Sequence, residues 1–272
     1  MEKDFRYILK IQYLGTAFSG SQVQPAQRTI QSEIEHAINI LTKENNKTVF
    51  SGRTDAGVHA LGQVVHFDTG HELDKRKFVY SLNALLPDQI SVKGFAQVDK
   101  FFHSQRSARY RWYRYIINNT PHKSILLKDI SLHILEKLNV EEMRSALCYL
   151  NGYHDFSSFK SSNTDNPATH CNILYSSCRN FSGIIYLDLI ANRFLYNMVR
   201  TITGTLIEIG RCKYTAEHMA DVLEAKNRKC AGPTADARGL TLVSVGYDER
   251  YNLKEIMNTE AINEQNLLCK AS

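Results

Sequence analysis

Six cysteines are present, and none stands at metal-binding or redox spacing from another. Among Cys148, Cys171, Cys178, Cys212, Cys230 and Cys269 the nearest neighbours are Cys171 and Cys178, so there is no C-x-x-C motif to grip zinc or shuttle electrons. Scattered thiols of this kind suit a reducing compartment. No apolar run approaches the ~18 residues needed to cross a bilayer. The opening residues, Met1-Glu2-Lys3-Asp4, have neither the basic and apolar blocks of a secretory leader nor the acid-poor character of a transit peptide. These absences predict a soluble, cytoplasmic protein with no membrane partner. Neither a P-loop nor a dinucleotide fingerprint occurs, and His59, His66 and His71 follow no helical zinc pattern, so no cofactor or metal is expected.

What is present is a globular composition: 43% hydrophobic and 22% charged over 272 residues. At roughly 150 residues per domain this length predicts two domains. The net charge of +5 and pI near 8.8 permit a polyanionic partner without requiring one.

Along the chain, Tyr7, Leu9, Ile11 and Tyr13 alternate with polar neighbours, which predicts a half-buried strand. Ile30, Ile34, Ala37, Ile38 and Leu41 recur at helical spacing behind Thr29 as N-cap. Strands are expected at Thr48–Ser51 and Gln63–Asp68, a short helix over Phe78–Leu85 and a strand over Ile90–Val98. Arg109–Asn118, aromatic and β-branched, predicts a long strand bridging two halves. The second half repeats the pattern loosely. A helix opens at Asn139 with Glu142 as a capping box and closes at Gly152. Strands at 172–178 and 184–190 precede a helix from Phe194 to Ile209 closed by Gly210, another opened by Thr215, and a strand over Gly239–Val245. The fold class is therefore α+β with a mixed or antiparallel sheet. Residues 1–105 form one domain, 106–251 a second, and 252–272 a polar, loosely held tail, with a cleft expected where the two domains meet.

Between the strands around Phe50 and Val64 lies Gly52–Ala60 (GRTDAGVHA), too rich in glycine and polar residues for strand or helix and so expected as a loop, whose first part, Gly52-Arg53-Thr54-Asp55-Ala56-Gly57, is built around one acid and one base. An aspartate between glycines is ordinarily an Asx-turn that caps its own backbone. Here the whole stretch Gly52–Phe67 (GRTDAGVHALGQVVHF) resembles the signature loop of the TruA family of tRNA pseudouridine synthases. Further blocks similar to that family follow in order: FSG with Gln22, Asn83–Pro87, Tyr113-Arg114-Tyr115, Asp155–Phe159, Phe194–Arg200 and Gly239–Leu242. Together they span about residues 5 to 251.

The resemblance implies two α/β-sandwich halves, RRM-like or ferredoxin-like, that form a pseudouridine synthase fold with a central sheet and a basic cleft. It implies a homodimer acting on the anticodon stem-loop of tRNA, at positions 38, 39 and 40, without cofactor or metal. Asp55 becomes the catalytic carboxylate, acting on the ribose either as nucleophile or as base. Arg200, which by itself reads as a solvated helix cation, becomes the partner that keeps Asp55 ionised. Tyr113 stacks on the uracil and assists proton transfer, and Leu240 lines the other side of the pocket. Arg53 fills the space left by a flipped uridine. Arg106, Arg109, Arg111 and Arg114 cluster near the same strand as candidate phosphate contacts. Leu14, Ser21, Arg193 and Asp236 depart from the family pattern and bear on loop packing and RNA contacts. Two rival readings remain: an inactive RNA-binding module with this fold, and a metal-dependent nuclease, which would need more carboxylates near Asp55 than Gly52–Phe67 supplies.

Overall fold

The computed structural model describes residues 3–161 and 168–253. In chain order it contains β1 (Phe5–Tyr13), α1 (Ile30–Thr42), β2 (Thr48–Phe50), β3 (His59–Thr69), α2 (Lys75–Leu85), β4 (Ile90–Val98) and β5 (Ala108–Asn118). These are followed by β6 (Leu132–His133), α3 (Val140–Cys148), β7 (Gly152–Asp155), β8 (His170–Phe181), β9 (Ile184–Ala191), α4 (Met198–Gly210), α5 (His218–Ala225) and β10 (Leu240–Tyr247). All ten strands join one sheet in the order β4-β1-β3-β10-β5-β9-β8-β7, with β2 on β3 and β6 on β5. The expected α+β class is thus found, with mostly antiparallel pairing.

β10 joins β3 to β5 in the middle of this sheet. Thr241 and Leu242 pair in parallel with His59 and Ala60 of β3, while the other edge of β10 runs antiparallel to β5. β10, the last of the described strands, thus lies between β3 and β5, the strand that the sequence suggested as the bridge. A C-terminal strand inserted between two earlier ones leaves no local sequence signal.

Local chemistry explains most elements. Thr29 caps α1 in a reciprocal box with Ser32, and Ile30, Ile34, Ala37 and Ile38 are buried on its inner face. They share one core with Tyr7, Leu9 and Ile11 of β1, and that core runs on through Tyr115, Ile117, Leu187 and Leu189 to Met143, Ile202 and Leu206. The opposite face of β1 is buried as well, contrary to the half-buried expectation. Ile8 packs with Phe102 and Leu253 in a second small cluster, against which Tyr247 and Tyr251 lie. The remainder of the expected tail, residues 254–272, lies outside the described residues.

Several boundaries differ from expectation: α2 begins at Lys75 rather than Phe78, and β3 begins at His59, inside the stretch expected as loop. The helix predicted from Phe194 starts at Met198, because Asn197 adopts a left-handed conformation at φ 61° and breaks the spiral before it. Gly210 ends α4 from within; a Cβ there would come within 2.8 Å of the Met143 sulfur, so this glycine serves helix–helix approach. Gly152, at φ +99°, opens β7 after α3 has already ended at Cys148. Asn139 does cap the Glu142 N–H, but the Glu142 carboxylate turns away to accept the Ala216 N–H at 3.0 Å, so the box is not reciprocal. Thr215 opens a turn that precedes α5.

His66 of β3 shows how closely this sheet is packed behind the seam. Its Nδ1 accepts the Ser104 N–H at 3.1 Å and lies 2.8 Å from the Ser104 hydroxyl. Burial, then the charges of Arg6 and His103, push the imidazole down from 6.5 to about 4. The folded chain thus holds this ring neutral, whereas the unfolded chain protonates it below 6.5, so stability falls as pH drops from about 6.5 towards 4. Each unit in that window costs up to ~1.4 kcal/mol. Urea unfolding at pH 7.5 and pH 5 should show a loss in the natural protein of about 1–2 kcal/mol from this ring. His66→Gln should show a shallower loss; identical slopes for the two proteins would contradict the assignment.

Candidate active site

The loop carrying Asp55 leaves β2 and returns into β3 beside the β3–β10 joint. Its backbone is held from several sides. The Ser21 N–H donates to the Thr54 carbonyl at 3.0 Å, and the Ser21 hydroxyl accepts the Thr54 N–H at 2.8 Å. The Tyr13 and Thr54 hydroxyls meet at 2.7 Å, and Gln63 Nε2 donates to the Gly52 carbonyl at 2.9 Å. Gly20, at φ +96°, passes so near that a Cβ would stand 3.1 Å from the Thr54 carbonyl oxygen. With these backbone groups satisfied from outside the loop, the Asp55 carboxylate does not cap its own turn.

Instead Asp55 Oδ2 accepts a hydrogen bond from Arg200 Nη1 at 3.0 Å, across 145 positions of sequence. The side chains are 21% and 19% exposed, so the pair lies in a cleft still open to solvent. Arg200 is fixed at two further points: Nη1 donates to Asn197 Oδ1 at 2.9 Å, and Nε to the Ala235 carbonyl at 2.8 Å. The Ala235 N–H returns a bond to the Arg200 carbonyl at 3.0 Å. The segment holding Ala235 is itself tied down, since the Tyr115 hydroxyl donates to the Asp236 carbonyl at 2.8 Å.

Tyr113 lies buried on β5 opposite Leu242 and Leu189, with its ring edge-on to Phe194 at 5.1 Å. Burial, reinforced by the charges of Tyr13 and Asp55, pushes its hydroxyl far above the ordinary phenol range, so it stays protonated. Tyr13 is likewise pushed up to about 12, chiefly by burial. Leu240, buried, opens β10 directly after Gly239, where a Cβ would strike the Tyr115 ring at 2.5 Å.

The five cations singled out near the loop and β5 have different surroundings. Arg53 and Arg106 are exposed, and neither side chain has a hydrogen-bond or ion-pair partner among the described residues. Arg109 pairs with Asp248 at 2.6 Å. Arg114 pairs with the fully buried Asp188 at 2.8 Å and lies over the Trp112 and Tyr186 rings. Arg111 donates to the Ser51, Gln105 and Asn192 carbonyls at 2.7–2.9 Å, linking the start of the Asp55 loop to the end of β9. Its surroundings hold it below the usual guanidinium value, mainly through burial.

Sequence reasoning passed over Asn197 as an anchor, although it stands three positions before Arg200 in the Phe194–Arg200 block. It recorded Ser21 only as a departure, whereas the hydroxyl is buried and clamps Thr54. Asp236 caps the Arg238 N–H and pairs with its guanidinium at 3.1 Å, and Leu14 is exposed. His59 is engaged at both ring nitrogens, by the Gly15 N–H and at the Arg238 carbonyl. Among the described residues no three His, Cys, Asp or Glu side chains are grouped to hold a metal ion.

A family profile described as "tRNA pseudouridine synthase" matches residues 10–106 and 146–248, which include Asp55, Arg53, Arg200 and Leu240. This chain belongs to the tRNA pseudouridine synthase family. The tRNA pseudouridine synthase A of Bacillus pumilus is 41% identical over 240 residues, 88% of this chain and 97% of the relative. That of Shouchella clausii is 40% identical over 259 residues, covering 95% and 99%. The enzyme of the same name from Bacillus subtilis is 41% identical over 88% of this chain and 97% of its own length. In this chain the loop that carries Asp55 and the Phe194–Arg200 block come together beside the β3–β10 pairing.

Removing the Ser21 hydroxyl leaves the buried Thr54 N–H without its acceptor, a loss of ~1–3 kcal/mol. Ser21→Ala should therefore lower the unfolding free energy by that amount in urea titration and should slow the reaction through the displaced loop. A variant within 0.3 kcal/mol of the natural protein, an interval of about the usual error of such comparisons, would show that the loop does not depend on this clamp.

Proposed function

We propose that this chain isomerises uridine to pseudouridine in the anticodon stem-loop of transfer RNA, at positions 38, 39 and 40, with Asp55 as the catalytic carboxylate. The observation that carries the reading is the placement of Asp55: one carboxylate, oriented by Arg200 at 3.0 Å, beside a buried tyrosine at the seam of two halves. Family membership supplies the substrate class.

The isomerisation breaks the N1–C1′ bond, turns the uracil and joins C5 to C1′, after which C5 loses its proton and N1 gains one. No electrons are gained or lost, so the chemistry needs no redox cofactor. Asp55 serves it in its ionised form, either adding to C1′ or taking a ribose proton, and the adjacent guanidinium favours that form. Tyr113 stacks on the base, and its neutral hydroxyl takes part in proton transfer at C5 as a hydrogen-bonding group. Leu240 closes the other side of the pocket. Arg53, exposed and without a protein partner, fills the gap left by the flipped nucleotide.

Of the phosphate candidates Arg106, Arg109, Arg111 and Arg114, Arg106 alone has a guanidinium without a protein partner among the described residues. It is the strongest candidate for direct backbone contact. The two units, 1–105 and 106–251, each supply half of the site, and the protein works in the cytoplasm as a homodimer whose subunits share the RNA.

Asp55→Ala should abolish pseudouridine formation on a tRNA transcript while leaving tRNA affinity within a few fold, because phosphate contacts dominate binding. Measurable turnover by the purified variant would overturn the assignment.

A further inference from the structure

Arg193 occupies the turn between β9 and α4, where the TruA-like pattern has a small residue. The turn is rigid. Asn192 exchanges two hydrogen bonds with Asn172, its N–H to the Asn172 carbonyl at 3.1 Å and its Oδ1 from the Asn172 N–H at 2.9 Å. Its carbonyl also accepts from Arg111 Nη1 at 2.8 Å. On the other side of Arg193, the Phe194 ring meets Tyr113 edge-on at 5.1 Å. Arg193 thus stands between an anchored Asn192 and a Phe194 that touches Tyr113, the residue read as facing the uracil.

Its guanidinium, half-buried, has no hydrogen bond or ion pair among the described residues. Its charge acts on Arg111, also cationic, whose donors are taken by backbone carbonyls. Arg200, by contrast, is neutralised by Asp55. Two guanidinium groups within each other's field, neither paired with an acid among the described residues and one free to donate its full fork, make a site for an anion. Because the turn is already ordered, little conformational freedom is lost on binding.

We propose that Arg193 binds a phosphodiester of the RNA next to the nucleotide that enters the pocket, giving this chain a contact that a small residue at the position cannot make. The proposal rests on the functional reading above and specifies where the strand is gripped.

The test uses the full chain and an anticodon stem-loop RNA, with affinity measured across a salt series. Arg193→Gln should weaken binding by roughly 3–10-fold and flatten the plot of log Kd against log salt by close to one contact's worth, ~0.7–0.9. Arg193→Lys should keep most of that slope. A methylphosphonate at one phosphate flanking the target uridine should weaken the natural protein by a similar factor and leave Arg193→Gln unchanged. Parallel salt slopes, or the same methylphosphonate penalty in both proteins at every flanking position, would overturn the proposal. These outcomes are separate from the functional reading, which is tested by whether the natural protein makes pseudouridine in this RNA and Asp55→Ala does not.

Discussion

The ion pair between Asp55 and Arg200 is the point at which the two halves become one site. Each partner comes from a different half, and each is placed by bonds that do not involve the other. Ser21, Tyr13 and Gln63 fix the loop on one side; Asn197 and the Ala235 carbonyl fix the guanidinium on the other. A pair this close to solvent contributes about 1 kcal/mol or less to stability. Its value lies in orientation. The β3–β10 joint, only two residue pairs long, brings these anchored segments together, so the sheet register sets the geometry of the carboxylate.

The same logic sorts the arginines. Arg109 and Arg114 are held by Asp248 and Asp188, and Arg111 by carbonyls from both sides of the seam. These three hold the framework of the cleft in place. Arg53, Arg106 and Arg193 carry charge without a protein partner among the described residues. A polyanion that enters such a cleft meets guanidinium groups whose donors are still unused.

Much of this was legible in the sequence. The helix at Ile30–Thr42 follows from its apolar spacing and its Thr29 cap, and the loop at Gly52–Gly57 from two glycines flanking polar residues. The nearness of Arg200 to Asp55 came from family resemblance, since a separation of 145 positions gives no local signal. The Ala235 carbonyl could not be read at all, because a backbone acceptor has no residue type. Nor could the fate of Arg114, which depends on β5 and β9 pairing so that it stands opposite Asp188. The start of α4 was misread for a related reason: Phe194 and Leu195 continue the helical spacing, while the left-handed Asn197 that interrupts it is set by its place beside Arg200.

Single-turnover rates for Arg200→Lys and Arg200→Met on a tRNA substrate test the central claim most directly, because lysine keeps the charge and methionine removes it at similar length. Both variants should be slower than the natural protein, with Arg200→Lys at least several-fold faster than Arg200→Met. A methionine variant as fast as the natural protein, or equal to the lysine variant, would contradict an Asp55 carboxylate oriented and kept charged by Arg200.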